Sequence, residues 1–321
     1  MIKKFKVLFL SAAITFSSIG LAGCASNKTM ESDKMKVTLV LDEGGVNDQS
    51  FNESAWGGAL EAKKKYGVEV SYIESKQETE YLSNIESAID LDSDLIIGVG
   101  FKLTETILDA ALAYPEQKFA IIDGTYAEIP DNVVPILFNE EQSGYSVGLI
   151  AAEMTKSNKV GFIGGMDIPS VTNFLVGFEK AIKEVNPDIT VTSQYANSFV
   201  DAAKGKAISE QMINSGVDII FTAGGGVNAG TFEAVKENGK YAIGVDMPSN
   251  HIAPDVILTS ALKNVGTGVE LITKDLVEGN FKGGQVKMFD LSNGGVGFEK
   301  TDLLSADLIE KIENKLNNIK K

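Results

Sequence analysis

The sequence contains no arginine, since all 29 of its Lys+Arg residues are lysine. A planar guanidinium is the usual group with which a protein clamps a carboxylate or a phosphate in a closed site. Its absence argues against amino acids, peptides and nucleotides as ligands. The formal net charge of -15 at pH 7 argues in addition against a protein that binds the phosphate backbone of DNA or RNA.

Cysteine and histidine each occur once, as Cys24 and His251. A single cysteine cannot form an internal disulfide, and no cluster of cysteine and histidine is available for zinc. His251 is followed by Ile-Ala-Pro and is most simply a loop residue. The acidic segment 42–48 lacks the ligand spacing of a calcium-binding loop. We therefore predict no metal, no cofactor and no catalytic residue, and a binding protein rather than an enzyme.

Residues 1–23 have the pattern of a secretory signal peptide, with lysines at the start and an apolar run from Val7 to Leu21. The run is short and interrupted by small polar residues, which argues against a membrane span. It ends in Leu-Ala-Gly-Cys24, which is similar to the lipobox of bacterial lipoproteins. Residues 24–34 have no apolar periodicity, which predicts a flexible tether. We expect the mature protein to be anchored through a lipid on Cys24 at the extracytoplasmic face of the cell membrane.

The remainder of the chain alternates short apolar runs of strand character with helical patterns, an order typical of βαβ units that build a parallel sheet. We expect the first series of strands to be buried on both faces. Its strands are predicted at Lys36–Leu41, Val68–Ile73, Leu95–Val99 and Phe119–Ile122, with helices such as Ser54–Tyr66 and Leu103–Ala113 between them. A second series is predicted at Lys159–Ile163, Ile189–Tyr195, Val217–Thr222, Lys240–Val245 and Val256–Ser260.

The two series resemble each other and predict an α/β fold of two similar lobes, each a parallel sheet flanked by helices. Lys118-Phe-Ala-Ile-Ile-Asp123 matches Lys240-Tyr-Ala-Ile-Gly-Val-Asp246, so each series ends an equivalent strand with an aspartate. Ligands of open α/β sheets lie beyond the carboxyl ends of the strands, which here would line one cleft. The predicted lobes are residues 35–139 plus about 264–284, and residues 140–263 plus about 285–321. The predicted hinge segments are Asn139–Ser143 and Lys263–Gly268.

Phe51 follows the polar run Asn47-Asp48-Gln49-Ser50 after the first strand. A phenylalanine in such a loop must either pack into the core or face a ligand, and Asn47 or Asp48 is alternatively a helix cap. The glycine pair at 44–45 and the triplet at 224–226 lack the remaining residues of nucleotide-binding fingerprints. We interpret them as turns that let the backbone approach a ligand closely.

Several motifs occur in a fixed order along the mature chain. They are Asp42-Xaa-Gly-Xaa-Xaa-Asn47-Asp48-Xaa-Ser50-Phe51-Asn52, Phe119-Ala-Ile-Ile-Asp123, Gly164-Gly165 with Pro169-Xaa-Val-Xaa-Xaa-Phe174-Xaa-Xaa-Gly177-Phe178, Ala223-Gly-Gly-Gly226, Gly244-Val-Asp246 and Thr259-Ser-Ala-Leu-Lys263. Together they resemble the basic membrane protein family, which comprises lipid-anchored purine nucleoside receptors of ABC importers with a two-lobed type I periplasmic-binding fold. The resemblance covers essentially the whole mature chain.

The resemblance implies that a purine base stacks on Phe51, with Phe199 as the better candidate for the second face and Phe174 as the alternative. A base needs apolar faces for stacking and polar groups around its edge. It further implies that the base edge and the ribose contact polar groups and glycine backbone from both lobes. In this interpretation Asp123 accepts hydrogen bonds from ring or exocyclic N–H groups, and Asp246 with Lys263 holds the ribose hydroxyls. Asp48 and Asn52 contact or support the ligand, and Gly224 and Gly225 give backbone access.

The chain departs from the family after Asp246, where it reads Met-Pro-Ser-Asn250 instead of the frequent Xaa-Asp-Gln. This departure leaves the contacts beyond Asp246 and the preferred base open. The expected ligand is a purine nucleoside of the adenosine, guanosine or inosine type, delivered to an ABC permease in the membrane. Two alternatives remain, because fold alone does not decide function: a receptor for a sugar or another small polar metabolite, and a surface nucleoside hydrolase.

Overall fold

The computed structural model describes residues 34–319, so the predicted signal peptide, Cys24 and all but the last residue of the tether lie outside the described residues. Twelve strands are present in this range. They are β1 (Lys36–Leu41), β2 (Glu69–Glu74), β3 (Leu95–Val99), β4 (Lys118–Ile122), β5 (Val133–Phe138), β6 (Lys159–Gly164), β7 (Thr190–Tyr195), β8 (Ile219–Ala223), β9 (Tyr241–Asp246), β10 (Ile257–Lys263), β11 (Lys287–Phe289) and β12 (Val296–Phe298).

The same range contains nine α-helices, most of which connect one strand to the next strand of the same sheet. They are α1 (Phe51–Tyr66), α2 (Tyr81–Asp90), α3 (Thr104–Ala113), α4 (Glu140–Met154), α5 (Pro169–Val185), α6 (Ala202–Asn214), α7 (Val227–Glu237), α8 (Val265–Val277) and α9 (Ala306–Ile319). No helix within residues 34–319 combines the length and the apolar character that a membrane span needs.

The strands form two six-stranded sheets that define the two lobes. The first sheet has the order β11-β5-β4-β3-β1-β2 and is parallel throughout. The second has the order β12-β10-β9-β8-β6-β7 and is parallel except for β12, which runs antiparallel to β10. This architecture confirms the predicted two-lobed α/β fold with parallel sheets flanked by helices.

Helices cover each sheet on both faces. Successive residues of the central strands point to opposite faces, so each central strand contributes side chains to two core layers. In β1, Leu39 and Leu41 join the core layer beneath α1 and α8, whereas Val40 joins the layer beneath α2 and α3. All three side chains are fully buried. The second sheet has the same arrangement, with α4 and α5 over one face and α6 and α7 over the other.

The strand predicted at Val68–Ile73 corresponds to β2, but the prediction that it is buried on both faces is wrong. As the edge strand of the first sheet, β2 leaves each of its residues partly or fully exposed. The strands β5, β11 and β12 were not predicted. Two of them have only three residues each, too few to present a periodic pattern.

The chain passes between the lobes at three places, two of which were predicted as hinge segments, while the third was implied by the predicted lobe boundary near residue 284. The first two crossings follow Phe138 and Lys263, and the third is the segment 290–295 between β11 and β12. The backbone N–H of Asn139 donates to the carbonyl of Phe289 at 2.8 Å, and that of Asn264 donates to the carbonyl of Gly295 at 2.9 Å. Each of the first two crossings is therefore hydrogen-bonded to the chain at the third. Because β11 pairs with β5, we move the predicted lobe boundary from about 284 to after Phe289. Hinge motion at these crossings stays a prediction.

Candidate functional site

The loop after β1 ends at a capped helix N-terminus. The carboxylate of Asp48 accepts backbone hydrogen bonds from Ser50 at 2.9 Å, Asn52 at 2.9 Å and Glu53 at 3.0 Å. Three of the orphan N–H groups of the helix start are thereby satisfied. Helix α1 consequently begins at Phe51, three residues before the predicted start at Ser54, and Phe51 is a helical residue rather than a loop residue. Asp48 is the cap that the sequence had offered as an alternative.

A cavity lies between the carboxyl ends of the two sheets and is lined by residues of both lobes. Its lining combines apolar and aromatic side chains with a few polar groups, as small-molecule sites commonly do. Nine of the ten predicted ligand-binding residues line it: Asp48, Phe51, Asn52, Asp123, Phe174, Phe199, Gly225, Asp246 and Lys263. Gly224 does not line the cavity, because its N–H is turned to the side chain of Asn228, at 3.0 Å.

Aromatic rings from both lobes contribute to the lining. Phe51 and Phe101 come from the first lobe, and Phe174 and Phe199 from the second. Phe174 is only 2% exposed and packs edge-to-face on Phe221 at a centroid distance of 5.9 Å, so most of its surface belongs to the core. Phe199 is partly exposed. Its ring lies against the backbone of Gly165, where a Cβ would approach it to 2.3 Å.

The ammonium of Lys263 is the one cation in the cavity lining, and it is buried. It donates to Asp123 Oδ2 at 2.5 Å and to Glu140 Oε1 at 2.9 Å, and it lies 5.4 Å from the ring centroid of Phe51. Burial lowers the pKa of Lys263, but the charges of Asp123, Glu140 and Asp246 outweigh burial and raise it overall. Lys263 therefore stays protonated, and its ammonium is paired with Asp123 and Glu140. The expectation that Lys263 and Asp246 together hold the ribose hydroxyls stays a prediction.

Asp246 is bonded instead to the opposite lobe. Its Oδ2 accepts a hydrogen bond of 2.5 Å from the hydroxyl of Ser50. Burial raises the pKa of Asp246 to about 7, against the opposing effects of Lys263 and Ser50. Burial likewise raises the pKa of Asp123 to about 6, where Lys263 opposes the shift and Glu140 adds to it. Both aspartates have a left-handed backbone with φ of 65°, a conformation that non-glycine residues rarely adopt and that is frequent at functional sites.

Two lining residues present buried oxygen atoms that find no hydrogen-bond donor within residues 34–319: Oδ1 of Asn52 and Oδ1 of Asp123. The amide nitrogen of Asn52 donates to Asp42 Oδ1 at 2.8 Å, which identifies the other atom as the free acceptor. An unsatisfied buried acceptor is costly, and native proteins rarely leave one without a partner. A ligand of this cavity is therefore expected to carry hydrogen-bond donors.

Sequence reasoning missed several polar and aromatic residues that line the cavity or bond to its lining, among them Asp42, Ser50, Phe101 and Glu140. Asp42 and Phe101 follow the carboxyl ends of β1 and β3, and Glu140 lies within the predicted hinge segment Asn139–Ser143, just after β5. Their position at strand ends was a usable signal, because ligands of α/β sheets bind there. Ser50 belongs to the family motif, but its hydrogen bond to Asp246 could not be predicted, since that bond depends on the approach of the second lobe.

Two patterns that could support catalysis, a metal-binding cluster and an accessible Gly-Xaa-Ser-Xaa-Gly serine, are not found within residues 34–319. Among the residues that the structure describes, no group of three or more His, Cys, Asp or Glu side chains could hold a metal ion. The segment Gly144-Tyr-Ser-Val-Gly148 fits the Gly-Xaa-Ser-Xaa-Gly pattern of serine hydrolases, but it lies inside α4. Ser146 is fully buried and donates to the carbonyl of Gln142. The two glycines allow close packing on α5, since a Cβ on Gly144 would lie 2.0 Å from the Phe174 carbonyl.

Comparison with known proteins identifies relatives over nearly the whole chain. Residues 35–321 match the family model described as "ABC transporter substrate-binding protein PnrA-like". The chain is 36% identical to basic membrane protein A of Borreliella burgdorferi, over 96% of this chain and 91% of the relative. It is also 36% identical to the ABC transporter nucleoside-binding protein BmpA of Lactococcus lactis, with 91% of each chain covered.

A solved structure supports the same assignment. The chain superposes on an ABC transporter solute-binding protein from Aeropyrum pernix with a TM-score of 0.82 and 29% sequence identity, covering 89% of this chain and 91% of the other. The similarity includes both lobes, because the aligned regions span nearly all of each chain.

Proposed function

The chain belongs to the PnrA-like family of ABC transporter substrate-binding proteins, and from this premise we propose that it captures a purine nucleoside between its lobes and delivers it to an ABC importer. Members of this family bind substrates and are not enzymes, which removes the alternative of a nucleoside hydrolase. The curated relative of Lactococcus lactis is named as nucleoside-binding. That name supports a nucleoside ligand for this chain.

The observation that carries the proposal is the combination of aromatic faces with unsatisfied acceptors in one cavity. Phe51 and Phe199 enter it from opposite lobes, and the free oxygens of Asn52 and Asp123 require donors. A purine supplies a flat apolar face and N–H groups, and ribose supplies hydroxyl donors. A free sugar would satisfy the acceptors but would make less use of the aromatic lining.

We assign the groups as follows. The base stacks between Phe51 and Phe199, and Asp123 Oδ1 accepts a hydrogen bond from its edge. Asn52 Oδ1 and the carboxylate of Asp246 accept from the ribose hydroxyls. Lys263 holds Asp123 in place through their 2.5 Å hydrogen bond, and the lysine thus acts on the ligand through the aspartate.

A neutral nucleoside should bind far better than its monophosphate. Asp42, Asp48, Asp123 and Asp246 all line the cavity, while Lys263 is the only basic lining residue and is already paired. A phosphate would be repelled by the carboxylates and would find no guanidinium partner. The charge of the site thus agrees with the absence of arginine from the sequence.

Anchoring at the membrane is a second part of the proposal. The Leu-Ala-Gly-Cys24 sequence supports a lipid on Cys24, and ABC transporter substrate-binding proteins act outside the cytoplasm. Metabolic labelling with a radioactive fatty acid should label the wild-type protein but not Cys24→Ser. The unlabelled variant should keep its nucleoside affinity, because the cavity lies wholly within residues 42–263. A wild-type protein without label would refute the anchor.

The nucleoside assignment is tested with the chain lacking residues 1–24, isolated without a tag. Mass spectrometry of ligand released by denaturation should detect a purine nucleoside. Calorimetry should then give tight binding of inosine, guanosine or adenosine, and much weaker binding of ribose and of each 5′-monophosphate. Equal affinity for a nucleoside and its monophosphate would contradict the proposed charge selection, and tight binding of ribose alone would favour a sugar receptor.

A further inference from the structure

The hydrogen bond between Ser50 and Asp246 joins the two lobes across the cleft at a distance from the chain crossings. Ser50 precedes α1 in the first lobe, and Asp246 ends β9 in the second, 196 residues along the chain. The hydroxyl oxygen and the carboxylate oxygen are 2.5 Å apart, and both residues are buried. Opening of the cleft would have to break this bond.

Ser50 is held firmly on the first lobe. Its N–H donates to Asp48 Oδ1 at 2.9 Å, and its carbonyl accepts from the N–H of Ser54 at 3.0 Å in the first turn of α1. Its side chain is fully buried. The hydroxyl therefore cannot follow Asp246 when the second lobe moves away.

The other oxygen of Asp246 is left for the ligand. Within residues 34–319, the hydrogen bonds made by this carboxylate involve Oδ2 alone, while the residue lines the cavity. Ser50 itself is absent from the cavity lining. One carboxylate thus faces the ligand with one oxygen and the opposite lobe with the other.

We propose that Ser50 is a closure latch, a positioning residue whose hydroxyl binds Asp246 across the cleft and slows the release of ligand without touching the ligand. The inference rests on the proposed function, because it takes a nucleoside as the ligand enclosed by Asp246. In the open protein Ser50 and Asp246 are each free to bind water, and the bond between them forms only on closure. The latch therefore acts on the dissociation rate rather than on the association rate.

The expected effect follows from the nature of the bond. A buried hydrogen bond to an ionised carboxylate, the form that Asp246 takes above its pKa of about 7, contributes enough that its loss changes a rate or equilibrium by about 10- to 100-fold. In Ser50→Ala the dissociation rate should rise by about that factor, while the association rate changes less than about threefold. The cavity lining is unchanged by the substitution, so the ligand keeps its direct contacts.

The test is a chase of radiolabelled inosine by excess unlabelled inosine, with association measured separately by rapid filtration. Ser209→Ala is the matched control, because Ser209 is also fully buried and donates to the carbonyl of Gly205 at 2.8 Å, away from the cleft in α6. The control should release inosine at the parental rate. Ser50→Thr restores a hydroxyl and should recover slow release if its melting temperature matches that of the parent.

The possible outcomes separate the two proposals. Faster release by Ser50→Ala alone, at an unchanged association rate, supports the latch. Unchanged release, or a defect confined to association, overturns it, as does an equal acceleration in Ser209→Ala. If the parent itself fails to bind inosine, guanosine and adenosine, the proposed function fails and the latch has no nucleoside to retain.

Discussion

The two lobes share a backbone plan but divide the chemistry of the site unequally. Asp123 after β4 and Asp246 at the end of β9 occupy equivalent places with the same φ of 65°, and Asn139 and Asn264 begin equivalent helices after the two crossings. The two unsatisfied acceptors, Asn52 Oδ1 and Asp123 Oδ1, both belong to the first lobe. The shared fold thus determines the positions of the functional residues, whereas the chemical groups at those positions differ between the two lobes.

The different linings of the two lobes suggest an order in which they contact the ligand. The second lobe lines the cavity mainly with apolar side chains, namely Ile168, Val171, Phe174, Phe199, Ala223 and Val245. An open first lobe can already offer its acceptors to a nucleoside, whereas the apolar lobe gains most by covering the ligand and excluding water. We therefore expect the first lobe to bind first and the second to close, a population shift that the importer could detect.

The largest expected effect is a loss of unfolding free energy on replacing Lys263, the one cation that the second lobe contributes to the cavity lining. Lys263→Met would leave Asp123 and Glu140 buried without their partner, which typically costs about 3–5 kcal/mol of unfolding free energy. Urea denaturation at pH 7.5 measures the loss. The control is Lys65→Met, whose solvent-exposed pair with Glu270 should contribute little to stability. A loss for Lys263→Met no larger than that of the control would mean that the buried carboxylates do not depend on this cation.

The next effect compares one aromatic ring from each lobe. Phe51→Ala and Phe199→Ala should each weaken inosine binding by about 1–3 kcal/mol, roughly five- to 150-fold, because each removes one stacking face. Phe51→Tyr should retain much of the affinity. Calorimetry gives the affinities, and circular dichroism controls for folding. Parental affinity in a folded Phe51→Ala would show that the ring does not contact the base.

Phe174→Ala distinguishes the two candidates for the second face. Because Phe174 packs edge-to-face on Phe221 in the core, its truncation should lower the melting temperature more than Phe199→Ala does. The affinity of the folded fraction should fall less than in Phe199→Ala. The reverse ranking of affinities would assign the second stacking face to Phe174.

Much of this fold was predictable because buried parallel strands leave continuous apolar runs in a sequence. The predicted bounds of β1 and β3 coincide with the observed ones. The edge strand β2 and the short strands β11 and β12 depend on pairing partners that lie elsewhere in the chain, and their burial or existence could not be predicted from local pattern. The start of α1 was placed late because the cap depends on Asp48 folding back onto three backbone amides.

The site was predictable at the level of residues but not of their pairing. Strand ends and the family motifs identified Asp123, Asp246 and Lys263, all of which line the cavity. Which of these groups bond to each other depends on how the lobes meet. In this structure Lys263 is paired with Asp123, and Asp246 is hydrogen-bonded to Ser50. Both contacts join residues of different lobes, so the sequence pattern of either lobe could not predict them.

A smaller effect concerns pH and involves carboxylates of both lobes. The pKa of Asp246 is raised to about 7, and the pKa values of Asp123 and Asp48 to about 6, from 3.8 in each case. The folded protein therefore binds more protons than the unfolded chain between about pH 4 and 7. Its unfolding free energy falls as pH rises through that window. Without ligand, the melting temperature should be about 2–5 °C higher at pH 5.5 than at pH 7.5.

The carboxylates with lowered pKa values do not reverse this fall of unfolding free energy with rising pH between about pH 4.5 and 7. Glu184 and Asp290 have lowered pKa values, so the stability that they contribute is lost only as pH falls below about 4.5. Asp246→Asn should reduce the difference in melting temperature between pH 5.5 and pH 7.5, since an amide cannot take up the proton. A melting temperature that rises with pH across this range, or a variant as pH-dependent as the parent, would contradict the assignment.

The smallest expected effect compares two adjacent glycines of the second lobe that the sequence had treated alike. Gly225 lines the cavity with φ of +59°, so Gly225→Ala places a side chain in a left-handed conformation, at a cost of about 1–2 kcal/mol. Gly224 does not line the cavity, and its φ is outside that range; a Cβ there would lie 3.0 Å from Val227 Cβ. Gly224→Ala should therefore require only a small local shift and change inosine affinity less than about threefold. Gly225→Ala should lower inosine affinity by about tenfold, provided that the backbone strain destabilises the closed form and not the open one. Calorimetry on both variants, with melting temperatures for comparison, makes the measurement. A larger loss of affinity in Gly224→Ala would mean that the turn after β8 approaches the ligand through Gly224, as the sequence had indicated.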